Sequence, residues 1–192
     1  MWKRRGFNPH LSFAAFENDN IVAFTFNGVG NFNGQKIGFE VTRELNYFFQ
    51  ANDEIRNDIK KVETRCVIEK IDIEKYHFVS DFWDFYPSWQ NSFEAISRAS
   101  EDFISLGAFV DNKIVGYCVF EPNSGDVTQI AVDMPFRRQG IGSLLLYEAV
   151  KFNKIGKTKL LNADVSCNSI VEFLKAKNIE ISGKQFEMIK KI

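Results

Sequence analysis

Apolar positions along this chain change period several times, and each change predicts an element. Asp126 to Val132 is rich in β-branched and apolar residues, the pattern of a strand. Directly downstream, Ile141, Leu144, Leu145, Ala149 and Phe152 recur at helical spacing, which predicts an amphipathic helix to about Ile155. Upstream, Arg65 to Ile71 reads as a strand, and Glu74 to Tyr86 as a helix with Phe78, Phe82 and Phe85 on one face, ended by Pro87. A second helix is expected over Asn91 to Ser100, with Asn91 or Ser92 as its cap. Leu106 to Val110 and Lys113 to Glu121 read as a hairpin across Asp111-Asn112. Beyond the central helix come a strand at Lys159 to Val165, a helix at Asn168 to Lys177 and a closing strand at Ser182 to Ile189. Nearer the start, Ser12 to Phe16 and Ile21 to Phe26 are strand-like about the turn-prone Asn18-Asp19-Asn20. Asn27 to Gly34 reads as a hairpin or wide turn, Ile37 to Phe49 as extended or mixed, and Asp53 to Lys61 as a short helix or linker. Strands alternate with helices, so an α/β (α+β) class is expected.

Composition narrows the function. Lys and Arg number 24 against 25 Asp and Glu, so no basic excess points to nucleic acid. Cys66, Cys118 and Cys167 are an odd number without metal-like spacing, as expected of reduced thiols in the cytoplasm. The basic start Met1-Trp2-Lys3-Arg4-Arg5 has no apolar stretch behind it, so no signal peptide is expected. No apolar run approaches the ~20 residues of a membrane span, and no membrane partner is expected. His10 and His77 stand apart from any nucleophile and are assigned no role.

The chemistry concentrates in Arg137-Arg138-Gln139-Gly140-Ile141-Gly142-Ser143, between the central strand and its helix. Two glycines let the backbone turn tightly and let a ligand approach without an intervening Cβ. Unpaired amides of the first helical turn then face the ligand, and the helix dipole favours an anion. A mononucleotide P-loop would need Gly-Lys-Ser/Thr, and Ser143-Leu144 follows Gly142. A dinucleotide fingerprint would need a third small residue where Leu145 stands. An ordinary strand-to-helix turn with a solvated arginine pair is the plainer alternative.

The stretch resembles the coenzyme A loop of the GNAT acetyltransferase superfamily, Arg/Gln-x-x-Gly-x-Gly/Ala, with Arg137, Gly140 and Gly142 at its defining positions. The order of elements over residues 63 to 192 is similar to that fold as well, which implies a mixed central sheet flanked by helices. The resemblance implies acetyl-CoA as cofactor, with a pantetheine arm along Ile130, Ala131 and Val132. Its pyrophosphate would take the turn of Arg137, Arg138, Gln139, Gly140, Ile141, Gly142 and Ser143, with Asn168 nearby. It further implies direct attack on the thioester by a small-molecule or peptide amine. Family members often carry a Glu on the central strand, where Thr128 and Gln129 stand here; Glu121, Asp126 and Asp133 are the nearest carboxylates. The family's acid Tyr falls on Leu174, its Asn on Cys167 and its Gly-Phe on Asn178-Ile179, and no Tyr follows Tyr147. Catalytic residues are therefore left unassigned, and a catalytically silent acyl-CoA-binding sensor or scaffold is the second reading. Trp83, Asp84, Tyr86 and Trp89 are the candidates for the acceptor pocket.

An internal repeat completes the picture. Ser12-Phe13-Ala14-Ala15-Phe16 matches Ser105-Leu106-Gly107-Ala108-Phe109, and Ile21-Val22-Ala23-Phe24 matches Ile114-Val115-Gly116-Tyr117 (105 − 12 = 93; 114 − 21 = 93). Gly38-Phe39-Glu40 stands where Asn178-Ile179-Glu180 stands later (178 − 38 = 140), so the first copy lacks 140 − 93 = 47 residues, those of the cofactor loop and its surroundings. Residues 1–62 are read as a truncated GNAT-like remnant and 63–192 as a full domain. The remnant is expected to dock by sheet continuation or across an aromatic face, and a homodimer is kept as an assembly.

Overall fold

Strand β6 (Lys113–Glu121) carries apolar side chains on both faces, and this makes it the middle of a layered molecule. A computed structural model describes residues 13–17, 20–25, 40–56 and 66–189. Within them β6 lies in a seven-stranded sheet with β3 (Glu40–Ala51), β4 (Val67–Lys70), β5 (Ile104–Val110), β7 (Asp126–Val132), β8 (Lys157–Asp164) and β9 (Ile181–Ile189). The order is β4-β5-β6-β7-β8-β3-β9, antiparallel except for the parallel pair β7–β8. On one face Val115, Cys118 and Phe120 pack with Ile141, Leu145 and Ala149 of α2 (Ile141–Val150) and Leu174 of α3 (Asn168–Ala176). On the other, Ile114, Tyr117 and Val119 meet Ile73, Val79, Phe82 and Ile96.

The segment expected as a helix at Glu74 to Tyr86 is instead a run of 3₁₀ turns, Ile73–Phe82, with Tyr76 off-helix at φ −124°, ψ 40°. Its apolar residues explain this. Ile73, Tyr76, Val79 and Phe82 recur every third residue, the spacing that aligns side chains at three residues per turn. Phe78, placed on the apolar face by a 3.6-residue reading, is 53% exposed. The second helix shortens to α1 (Phe93–Ser97), capped by Ser92 Oγ accepting the Ala95 N–H at 3.2 Å. α2 stops at Val150, where the Phe152 and Asn153 amides turn to i−3 carbonyls.

Strand β3 lies between β8 and β9, although it precedes both in sequence by more than a hundred residues. Leu45 and Phe48 are fully buried there, and Ile55 just beyond joins the same core as α2. The expected boundary at 62/63 falls outside the described residues, as does the Asn27 to Gly34 turn.

Backbone registers repeat. A separate two-stranded sheet pairs β1 (Phe13–Glu17) with β2 (Asn20–Thr25). Its pairs Ala15↔Ala23 and Phe16↔Ile21 correspond to Ala108↔Gly116 and Phe109↔Ile114 of β5–β6, each residue shifted by 108 − 15 = 93, and both ladders slip at the same step. In β3–β9, Leu45 pairs with Gln185 (185 − 45 = 140), and the same shift exchanges Glu44↔Phe186 with Asn46↔Lys184. The slips pass Thr42 in β3 and Ser182 in β9, again 140 apart (182 − 42 = 140), so the pair has a local twofold relation.

Phe48→Ala opens a cavity under β3 and should lower stability by about 3–5 kcal/mol, read as a reduced denaturant midpoint. Removing residues 1–62 should cost more, because β9 then loses its sheet partner. A truncated chain that melts at the temperature of the parent would contradict the placement of β3.

Candidate active-site cleft

Parallel strands β7 and β8 share one paired position, Asp126↔Lys159, supported by Lys159 N–H to Gly125 O at 2.8 Å. Beyond it they part. Gln129 to Val132 stay paired with β6 on one side and turn their other edge to a cleft of about 970 Å³. β8 forms the opposite wall through Leu160, Leu161 and Asn162. Its ladder with β3 slips there, and Asn162 takes a left-handed φ of 64°, a conformation Asn tolerates better than most residues.

At the mouth, the chain leaves β7 through a 3₁₀ turn, Met134–Phe136, and enters α2. Arg138 (φ 64°) and Gly140 (φ 85°) are both left-handed, and Gly140 is the N-cap. Alternating hand turns successive N–H groups to one side, the geometry of an anion nest. The helical ladder starts with Leu144 N–H to Gly140 O at 3.0 Å, which leaves the amides of Ile141, Gly142 and Ser143 at the open end. A Cβ on Gly142 would stand 3.4 Å from the Phe173 ring, so a methyl fits and little more.

Arg137 ties this loop to the opposite wall. Its Nε donates to Val132 O at 2.8 Å and its guanidinium to Phe82 O at 3.0 Å and Asp84 Oδ1 at 2.6 Å. Asp84 Oδ2 accepts from Ser169 Oγ at 2.6 Å, at the start of α3. One carboxylate thus links the loop before α2 to the helix after β8. Deeper in, Trp83 Nε1 donates to Tyr117 Oη (2.5 Å), Tyr117 donates to Gln129 Oε1 (2.6 Å), and Gln129 Nε2 donates to Asn91 O (2.5 Å). Burial raises the Tyr117 pKa well above the ordinary phenol value, so it stays protonated.

Residues 130–132 and 137–143 all line the cleft, as do Trp83 and Asp84. Tyr86 and Trp89 do not. Tyr86 is 79% exposed, stacks edge-on against Trp83, and gives its carbonyl to Arg43 at 2.6 Å. Trp89 begins the turn Trp89–Asn91, whose last residue, Asn91, is the one that faces inward. Asn168 is also outside, with its neighbour Ser169 in its place. Leu174 is buried against the core. Glu121 pairs with Asp126 where β7 and β8 still meet, and Asp133 lies 4.0 Å from Lys113; none lines the cleft. Sequence reasoning missed Tyr117, whose only signal was a lone hydroxyl in the apolar run of β6.

The family model described as Acetyltransferase (GNAT) family matches residues 68–169. No curated protein matches the chain. Among solved structures, a functionally unknown conserved protein of Staphylococcus epidermidis is similar at 18% identity and TM-score 0.58, over 79% of this chain and 62% of that one. A GCN5-related N-acetyltransferase from Sphaerobacter thermophilus matches at 17% and 0.58, over 80% and 54%. Another, from Kribbella flavida, matches at 14% and 0.56, over 79% and 59%. At such identities the likeness is one of fold, and the chain spans little more than half the length of these proteins.

Arg137→Lys keeps the charge but cannot hold three acceptors in one plane. Anion affinity at the loop should fall about as far as in Arg137→Ala. Affinity restored by Lys would show that charge alone matters there.

Proposed function

The chain belongs to the acetyltransferase (GNAT) family, and from that premise we propose that it transfers an acetyl or other acyl group from acyl-CoA to a primary amine. One observation carries this reading: the gap between β7 and β8 ends at the left-handed, Gly140-capped start of α2. The free edge of 130–132 suits an extended arm with amide groups, and the nest at 138–143 suits a diphosphate. Bound acyl-CoA supplies an activated thioester. The chain holds that arm, excludes water with aromatic walls, and presents the acceptor from the side of Trp83 and Tyr117. In the reaction the amine nitrogen bonds to the acyl carbon, the carbon–sulfur bond breaks, and the amine proton leaves through solvent. With Leu174 in α3 carrying no proton, the thiolate departs unassisted, which its pKa near ~8.5 permits at a reduced rate.

The same Leu174 favours the second reading, a silent acyl-CoA-binding sensor or scaffold. Residues 1–62 are read as the remainder of a first copy, on the strength of the matching registers at shifts of 93 (108 − 15) and 140 (185 − 45). Since the equivalents of the loop and α2 are among the missing residues, one acyl-CoA should bind per chain.

Gly142→Asp places a carboxylate in the nest and should weaken CoA binding by at least about tenfold in calorimetry. Gly142→Asn, equal in size and uncharged, separates the charge from crowding against the Phe173 ring, and Gly142→Ala fits that space. Affinity unchanged by Asp would remove the cofactor assignment. Turnover of acetyl-CoA against a panel of amines separates the transferase from the silent module.

A further inference from the structure

The inner floor of the cleft is polar and neutral. Tyr117, Gln129, Asn91, Thr128 and Asn162 are all buried and line it. The Trp83–Tyr117–Gln129–Asn91 bonds run in one direction, so the Tyr117 proton is pinned on Gln129. What that chain leaves over at Gln129 is an acceptor lone pair on Oε1. Two carboxylates line the cleft among the described residues. Asp84 is engaged by Arg137 and Ser169, and Glu172 sits on the exposed side of α3. An ammonium entering this floor would lose its water and touch no carboxylate there, since Asp126 stands behind Thr128 and accepts its hydroxyl at 3.3 Å, and that is costly. A neutral amine would instead give an N–H to Gln129 Oε1. Phe82, Trp83, Phe85 and Phe136 supply flat apolar walls suited to a ring.

We propose that the acceptor is a weakly basic aromatic amine, which arrives un-ionised; this rests on the acyl-transfer reading above. An aliphatic amine, with a pKa near ~10, must first lose a proton, and no group on the floor takes it. An arylamine attacks directly. Its nitrogen bonds to the acyl carbon, the thiolate leaves, and the proton, acidic once the nitrogen is acylating, passes to water and on to the thiolate.

Aniline and benzylamine, similar in shape and far apart in basicity, test this with acetyl-CoA. At pH 7 aniline should be preferred in kcat/KM by at least about tenfold, and the gap should narrow as pH rises and frees more benzylamine. Gln129→Glu, which puts a carboxylate on the floor, should turn the preference toward benzylamine. Benzylamine favoured at pH 7 by the unaltered protein would overturn the inference and leave acyl transfer standing. CoA binding without turnover of either amine would overturn both.

Discussion

A single register position opens the sheet of this molecule. Parallel strands normally continue side by side, hydrogen-bonded along their length. Here β7 and β8 meet at Asp126↔Lys159 and then separate, so a row of backbone groups in the middle of a sheet is left without a strand partner. On the proposed reading, a bound extended group would satisfy them as a neighbouring strand does. The slip of β7 against β6 past Thr128, and the left-handed Asn162 in β8, bend the two walls apart. Everything chemical then follows from what stands at the ends of the opening: amides at the α2 end, and the Tyr117–Gln129 floor at the other.

Holding such an opening requires the flanks to be rigid. β6 is buried on both faces and fixes β7 from one side. On the other side β8 depends on β3, a strand from much earlier in the chain, whose Phe48 lies in the core shared with α2. Across the mouth the Arg137–Asp84–Ser169 bridge joins the two halves. It is partly exposed, so its worth lies in positioning more than in stability.

Much of this was legible in the sequence. The β7–loop–α2 unit reads directly from β-branched residues, paired glycines and a 3.6-residue apolar period. The repeat at 93 positions also reads from Ser12–Phe16 against Ser105–Phe109 (105 − 12), and the backbone register and bulge follow it to the residue. Ile73 to Phe82 reads as a helix because Phe78, Phe82 and Phe85 fall at helical spacing, whereas the residues that pack, Ile73, Tyr76, Val79 and Phe82, recur every third position. The insertion of β3 is invisible to local pattern, since it depends on pairing between segments far apart in the chain. Tyr86 and Trp89 are candidates by their place in a stretch that resembles the family's acceptor wall, and the turn at Ser88 to Asn91 points the inconspicuous Asn91 inward instead.

Amide chemical-shift mapping tests the central claim most directly. Titrating CoA into the labelled protein should shift the amides of Ile130 and Val132 on β7 together with those of Gly140 to Ser143. Shifts confined to other surfaces, or none at saturating CoA, would contradict the assignment of the β7–β8 opening as the acyl-CoA site.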